Sequence, residues 1–238
     1  IRWKLDSTKY SFIDFKGYEA GKKPSEISGK PRLFYDRNKP FTRKVKFFDT
    51  YKADKEIVIP SYYVIPKSEG KIIENLKRNQ IKFKELQSDS LITVESYKIV
   101  DFKTVKNPYE GHYLHFDTQV SSELKTKKFR KGDYLVSTKQ EGVKFLLETL
   151  EPEAVDSYFN WNFFDGILGQ KEYFSDYVFE DTAAELLKTN KALKTALELK
   201  KASDVKFAED GAAQLDWVYK NSEYYEGTVN QYPIYRIR

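Results

Sequence analysis

The chain has only two imidazoles, and both fall in the stretch Tyr109-Glu-Gly-His-Tyr-Leu-His115. A zinc ion needs three or four nitrogen, oxygen or sulfur ligands within reach. His112 and His115 are three residues apart, a spacing that sends side chains to opposite faces of a strand. A helix would suit them better, but Pro108 and Gly111 argue against one. Both are therefore expected to be hydrogen-bonded sheet residues. The carboxylates Glu148, Glu151, Glu153 and Asp156 could form an acid–base pair only if one were desolvated. Flanking Pro152 at a helix boundary, they are read as caps and dipole partners. The aromatic block Tyr158-Phe-Asn-Trp-Asn-Phe-Phe164 could stack on a sugar or another ligand. Yet Phe159, Phe163 and Ile167 recur at helical spacing, with Trp161, Phe164 and Leu168 beside them, so a buried helix with Trp161 in the core is expected. Asn160 and Asn162 then need partners inside the protein. The basic run Lys125-Thr-Lys-Lys-Phe-Arg-Lys131 ends in a Lys-Gly-Asp turn and reads as a solvated hairpin. No phosphate-binding glycine loop, dinucleotide fingerprint or Gly-x-Ser-x-Gly elbow occurs. No catalytic, cofactor-binding or metal-ligating residue is assigned.

The elements that would position these residues follow from hydrophobic spacing. Residues 1–56 alternate prolines (24, 31, 40) with aromatic stretches. They read as an irregular lead-in with short extended pieces, anchored on a core elsewhere by its rings. Residues 57–152 read as a small α/β unit. Strands are expected at Ile57–Pro60, Tyr62–Ile65, Ile81–Leu86, Leu91–Ile99, His112–Phe116 and Tyr134–Val136. One helix should follow Ser68 as N-cap, carry Ile72, Ile73 and Leu76, and end at Asn79. A second has the face Val143, Leu146, Leu147 and Leu150, and Pro152 stops it. Residues 153–238 read as mostly helical, packed on that unit. Their apolar faces are Phe179/Ala183/Leu186/Leu187, Leu193/Leu197 and Ala212/Leu215/Val218/Tyr219, before an extended tail, Tyr232–Ile237. The expected class is α+β: a mixed sheet followed by a helical C-terminal part, in one structural unit.

Composition sets outer bounds. The chain has 238 residues, 41 Lys and Arg against 36 Asp and Glu, and 17 Phe, 18 Tyr and 3 Trp. That is not a disordered composition, and no apolar run is long enough to span a bilayer. With no cysteine, disulfides, thiol catalysis and thiolate metal sites are excluded. The small, interspersed excess of positive charge does not call for nucleic acid or acidic lipid as partner. With Ile1 first and no methionine, the chain is expected to be a processed product, an excised piece or an incomplete record of a longer chain, any leader or anchor lying upstream.

Several stretches together resemble a known arrangement. They are Tyr63-Val-Ile-Pro66, Pro108-Tyr-Glu-Gly-His-Tyr-Leu-His115, Phe129-Arg-Lys-Gly-Asp-Tyr134, Glu148-Thr-Leu-Glu-Pro152 with Asp156-Ser157, Trp161-Asn-Phe-Phe-Asp-Gly-Ile-Leu-Gly-Gln-Lys-Glu172, Phe174-Ser-Asp-Tyr-Val-Phe-Glu-Asp181 and Tyr232-Pro-Ile-Tyr-Arg236. They are similar to the C-terminal portion of large bacterial zinc carboxypeptidases of the carboxypeptidase A-like family, most specifically over residues 57–238. In that family the chemistry belongs to an upstream lobe, with a His-x-x-Glu pair, a distant histidine and a later glutamate acting on zinc-bound water. Here the residue three after His112 is His115, and three after His115 stands Thr118, so no catalytic residue carries over.

The resemblance thus implies a non-catalytic accessory region of a secreted or periplasmic metallopeptidase. Its partners would be the upstream peptidase lobe and, through it, a peptide substrate. Zinc would belong to that lobe, with no cofactor in this region. A glycan- or peptide-binding module and a carboxylate-dependent hydrolase stand as alternatives.

Overall fold

A computed structural model describes all 238 residues, which divide into two units, Ile1–Val58 and Ile59–Arg238. The class is α+β, with six α-helices and ten strands. No helix is long and apolar enough to cross a membrane.

The first unit is more regular than its prolines suggested. Strand β1 (Arg2–Leu5) pairs with β4 (Tyr51–Lys55), and β2 (Ser11–Pro24) with β3 (Pro31–Phe47), both antiparallel. Pro24 and Pro31 face each other at the hairpin end, and Pro40 lies at the irregularity after Tyr18. Proline is tolerated in such end and bulge positions, where no ladder donor is lost. Gly17 and Gly21 lie beneath the rings of their cross-strand partners: a Cβ at either would come within 2.8 Å of Phe41 or Phe34. Ring-over-glycine pairs of this kind pin register. Most rings of the unit face solvent, with Phe12 60%, Phe15 51% and Tyr35 62% exposed. Asp6 is its only buried residue, held by the Thr8 amide and hydroxyl.

The second unit is built on a six-stranded sheet of order β6-β9-β5-β10-β7-β8. Its strands are β5 (Tyr62–Ile65), β6 (Lys84–Glu85), β7 (Ser90–Thr104), β8 (His115–Phe129), β9 (Tyr134–Ser137) and β10 (Gln231–Ile237). Where a mixed sheet was expected, every ladder is antiparallel. The physical reason is connectivity: β7 and β8 form a hairpin, and the tail returns as β10 between β5 and β7, antiparallel to both. The expected strand at residues 57–60 does not form, and the one at 81–86 shrinks to two residues.

Period-two alternation puts Tyr63, Ile65, Tyr97, Ile99, Val136 and Ile234 on one face of the sheet. There they meet Ile72, Ile73 and Leu76 of α1 (Gly70–Arg78) and Leu146 and Leu150 of α2 (Val143–Leu150), forming the main core. The opposite face carries a smaller cluster of Val64, Val94, Phe129 and Tyr235. Helix α1 begins one residue past the expected cap: Glu69 takes the N-cap position, and Ser68 donates to the Glu69 carboxylate instead. Asn79 closes its C-terminus.

Helices α3 (Asp176–Thr189), α4 (Lys191–Ser203), α5 (Val205–Glu209) and α6 (Gly211–Lys220) close a second core. Phe179, Ala183, Leu193, Leu197, Val218 and Tyr219 are buried in it. Asn190, Asp204 and Asp210 cap three of these helices by accepting from backbone N–H groups three residues on, which satisfies donors the helix leaves open.

The segment leading to these helices is held by Glu226. Its carboxylate accepts from the Lys171 and Glu172 amides at 2.7 and 3.1 Å and from the Thr228 hydroxyl. Led by the Thr228 hydrogen bond, these donors lower its pKa from the usual 4.5 to about 2. A depressed carboxyl contributes stability above its unfolded pKa and loses it as pH falls through the folded one. The clamp should therefore loosen between about pH 4.5 and 2. Glu226→Gln is expected to speed hydrogen exchange at the Lys171 and Glu172 amides near neutral pH, as acid does in the wild type. Unchanged exchange in the variant would refute the clamp.

Candidate functional site

The aromatic block does not form the expected helix. Residues 158–164 run as successive turns, because Asn162 takes a left-handed φ of 64° and the backbone bonds change span: Asn162 N–H donates to Phe159, Phe163 N–H to Tyr158. Tyr158, Phe159 and Phe164 are buried, but Trp161 is only half-buried and Phe163 is exposed. Asn160 finds the interior partners it needs. Its carbonyl accepts from Thr118 at 2.8 Å, and its amide donates to Ala154.

The two histidines go to different surroundings. Glu110 and Gly111 both adopt positive φ, 48° and 81°, in a tight turn that pairs Tyr109 with His112. His112 then rests edge-on against Trp161, ring centroids 5.5 Å apart, with Tyr109 on the same indole at 6.3 Å. His115 begins β8 and is wedged between Phe102 (4.5 Å) and Phe159 (5.0 Å). Its Nδ1 lies 2.9 Å from Thr104 Oγ1, and its Nε2 lies 3.1 Å from Asp165 Oδ1.

With an Nε2–H donating to the Asp165 carboxylate, Nδ1 accepts from the Thr104 hydroxyl; in the other tautomer Nδ1–H donates to Thr104 and Nε2 accepts from Asn162 Nδ2, 3.2 Å away. This hydroxyl–imidazole–carboxylate chain has the order of a nucleophilic triad. Sequence reasoning missed it, since Thr104, His115 and Asp165 are far apart along the chain. The only local signal was the β7–β8 alternation that makes Thr104 and His115 direct cross-strand partners. That register accounts for the Thr104–His115 bond with no catalytic requirement, and a β-branched carbon hinders Thr104 as a nucleophile.

Among the four carboxylates, only Glu151 is buried as deeply as a tuned acid would be, at 1% exposure. It occupies the C-cap of α2, the unfavourable helix end for an anion, so the cap-and-dipole reading fails for it. Tyr63 donates to it at 2.5 Å, Tyr97 hydrogen-bonds it, and Arg236 Nε lies 3.1 Å away. Arg236 Nη1 also reaches Glu95 at 2.6 Å and donates to the Tyr97 hydroxyl, while Arg238 holds the other Glu95 oxygen at 2.5 Å. Burial pushes the Glu151 carboxyl above its usual range against the pull of Arg236. Burial likewise raises Glu95, but its bond to Arg238 and the two guanidinium charges outweigh this and leave it lowered. Burial, with the Glu151 charge next, drives the Tyr63 hydroxyl far up, so it stays a donor.

Two buried acids thus face two arginines, Arg236 buried and Arg238 exposed. A perturbed carboxyl marks a functional candidate as readily as a structural ion pair. Pairing of both acids with tyrosine and arginine side chains, with Ser122 also on Glu95, fits a structural role.

The basic run splits as strand and turn geometry dictates. Lys125 pairs with Glu123, and Lys128 and Arg130 both reach Asp89. Led by the Lys131 amide, these donors lower the Asp89 pKa to about 2. No group of three or more His, Cys, Asp or Glu side chains is arranged to hold a metal ion. Comparison with family models, with curated proteins and with solved structures finds no significant match to this chain.

Proposed function

We propose that this chain is the non-catalytic accessory region of a secreted zinc metallocarboxypeptidase. It would pack on the peptidase lobe and act by contact, shaping stability or access of peptide substrate, while zinc stays with the lobe. The observation that carries this reading is the first unit. Its 58 residues form long ladders, yet Asp6 alone is buried and its rings lie open. A two-stranded ladder without a covered face is marginal alone, and exposed apolar rows mark contact surfaces. The first unit carries 15 Lys and Arg against 8 Asp and Glu, so the surface it meets should be acidic. The resemblance supplies the identity of that partner.

The upstream coding sequence tests the proposal: a His-x-x-Glu peptidase lobe behind a signal peptide is expected, and an unrelated domain there overturns it. The purified chain should retain no stoichiometric zinc and release no C-terminal residue from hippuryl-amino acids. One tightly held zinc per chain would contradict it. Hydrolysis by the purified chain that Glu148→Gln or Asp156→Asn abolishes would favour the carboxylate-dependent hydrolase alternative instead.

A further inference from the structure

A cleft of about 360 Å³ opens at the β6 edge of the sheet, lined by Tyr62, Lys82, Phe83, Lys84, Leu135, Ser137, Lys139 and Gln140. Cross-strand register builds its floor. Tyr62 pairs with Ser137, and Lys84 pairs with Leu135 two residues along the same strand, so alternation brings all four to one face. The walls are the segment entering β6 and the turn leaving β9, and Gln140 locks them together. Its carbonyl accepts from the Lys82 amide at 2.9 Å, and its amide donates to the Lys82 carbonyl at 3.1 Å and the Ser137 carbonyl at 2.6 Å. The rim is therefore held in place by the Gln140 side chain bonding to backbone on both walls.

Lys82, Lys84 and Lys139 are exposed, and no carboxylate pairs with any of them. Over residues 59–238 as a whole the charges nearly balance, 26 Lys and Arg against 28 Asp and Glu. No acid lines the cleft, and Tyr62 and Phe83 bring rings to it. Three exposed lysines around a cleft that also carries Tyr62, Phe83 and Leu135 fit a ligand with an anionic head and an apolar body. We propose that this cleft binds a small organic anion in which a carboxylate or phosphate is joined to a flat apolar body. The lysines would take the anionic head and the Tyr62–Leu135 floor the flat part.

This goes beyond the accessory reading, and neither stands or falls with the other. Titration calorimetry on the purified whole chain tests it with phenyl phosphate, phenylacetate, inorganic phosphate and benzyl alcohol. Phenyl phosphate or phenylacetate should bind more tightly than inorganic phosphate and benzyl alcohol, and the tighter of the two identifies the head group. Replacing Lys82, Lys84 and Lys139 together with Gln should weaken that binding roughly tenfold with an unchanged melting temperature. A reference set, Lys188→Gln, Lys191→Gln and Lys194→Gln, should leave it intact. The proposal is overturned if neither aryl anion binds, if benzyl alcohol binds as well, or if the reference set weakens binding equally.

Discussion

Arg236→Ala is expected to destabilise the second unit by about 3–5 kcal/mol, the usual consequence of stranding buried charge. Arg236 is 4% exposed, and its guanidinium is shared between Glu95 and Glu151, which are themselves 4% and 1% exposed. Truncation leaves two buried carboxylates with tyrosine hydroxyls, Ser122 and Arg238 to answer them. Replacing Arg236 with Met and both glutamates with Gln should recover most of the loss, because a neutral set of similar volume removes the stranded charge. Denaturant midpoints for the single and triple variants measure this. A loss below about 1 kcal/mol for Arg236→Ala would mean that water reaches the network and that its role is not structural.

The pH dependence of this network has two opposing parts. Glu95, lowered, contributes stability above the usual carboxylate range that disappears as pH falls. Glu151, raised by burial, does the reverse: its contribution is present below 4.5 and is lost as pH rises through its folded value. Glu151→Gln should therefore lose the second part and leave stability rising more steeply with pH across the acid range.

Phe159→Ala should cost about 3–5 kcal/mol, while Trp161→Ala, in the same run of residues, should cost distinctly less. Phe159 is fully buried and packs edge-on against Phe102 at 5.5 Å as well as on His115. Its removal opens a cavity between the sheet and the 158–164 turns and loosens the wedge that holds the imidazole. Trp161 is only partly buried and rests against Tyr109 and His112. Helical periodicity would make both rings core, so the pair separates the two geometries. Equal losses would restore the helix. A selective loss at Phe159, read as the difference in melting temperature, fits the turns.

The Phe159–Trp161 contrast shows where a sequence loses its grip on a structure. Periodicity located α2, α3, α4 and α6 and their buried faces, because i, i+3, i+4 spacing buries a stripe wherever the helix docks. It failed over residues 158–164, where Ser157 and Asn160 offer side-chain bonds that compete with a helix and Asn162 tolerates positive φ. The hairpin of residues 11–47 was legible only as extended pieces. Its register depends on pairing residues far apart in sequence, up to Ser11 with Phe47, and the prolines that suggested irregular chain lie where pairing does not need their N–H.

Composition and local spacing determined the α+β class, the helical faces, the Lys131-Gly-Asp turn and the exclusion of thiol chemistry, all of which rest on contacts near in sequence. Only the tertiary structure decided that the tail enters the middle of the sheet. That step alone carries Arg236 to Glu95 and Glu151, and hairpin register alone brings Thr104 to His115. Burial and pairing of such distant groups are settled by chain topology, and no local pattern of residues records it.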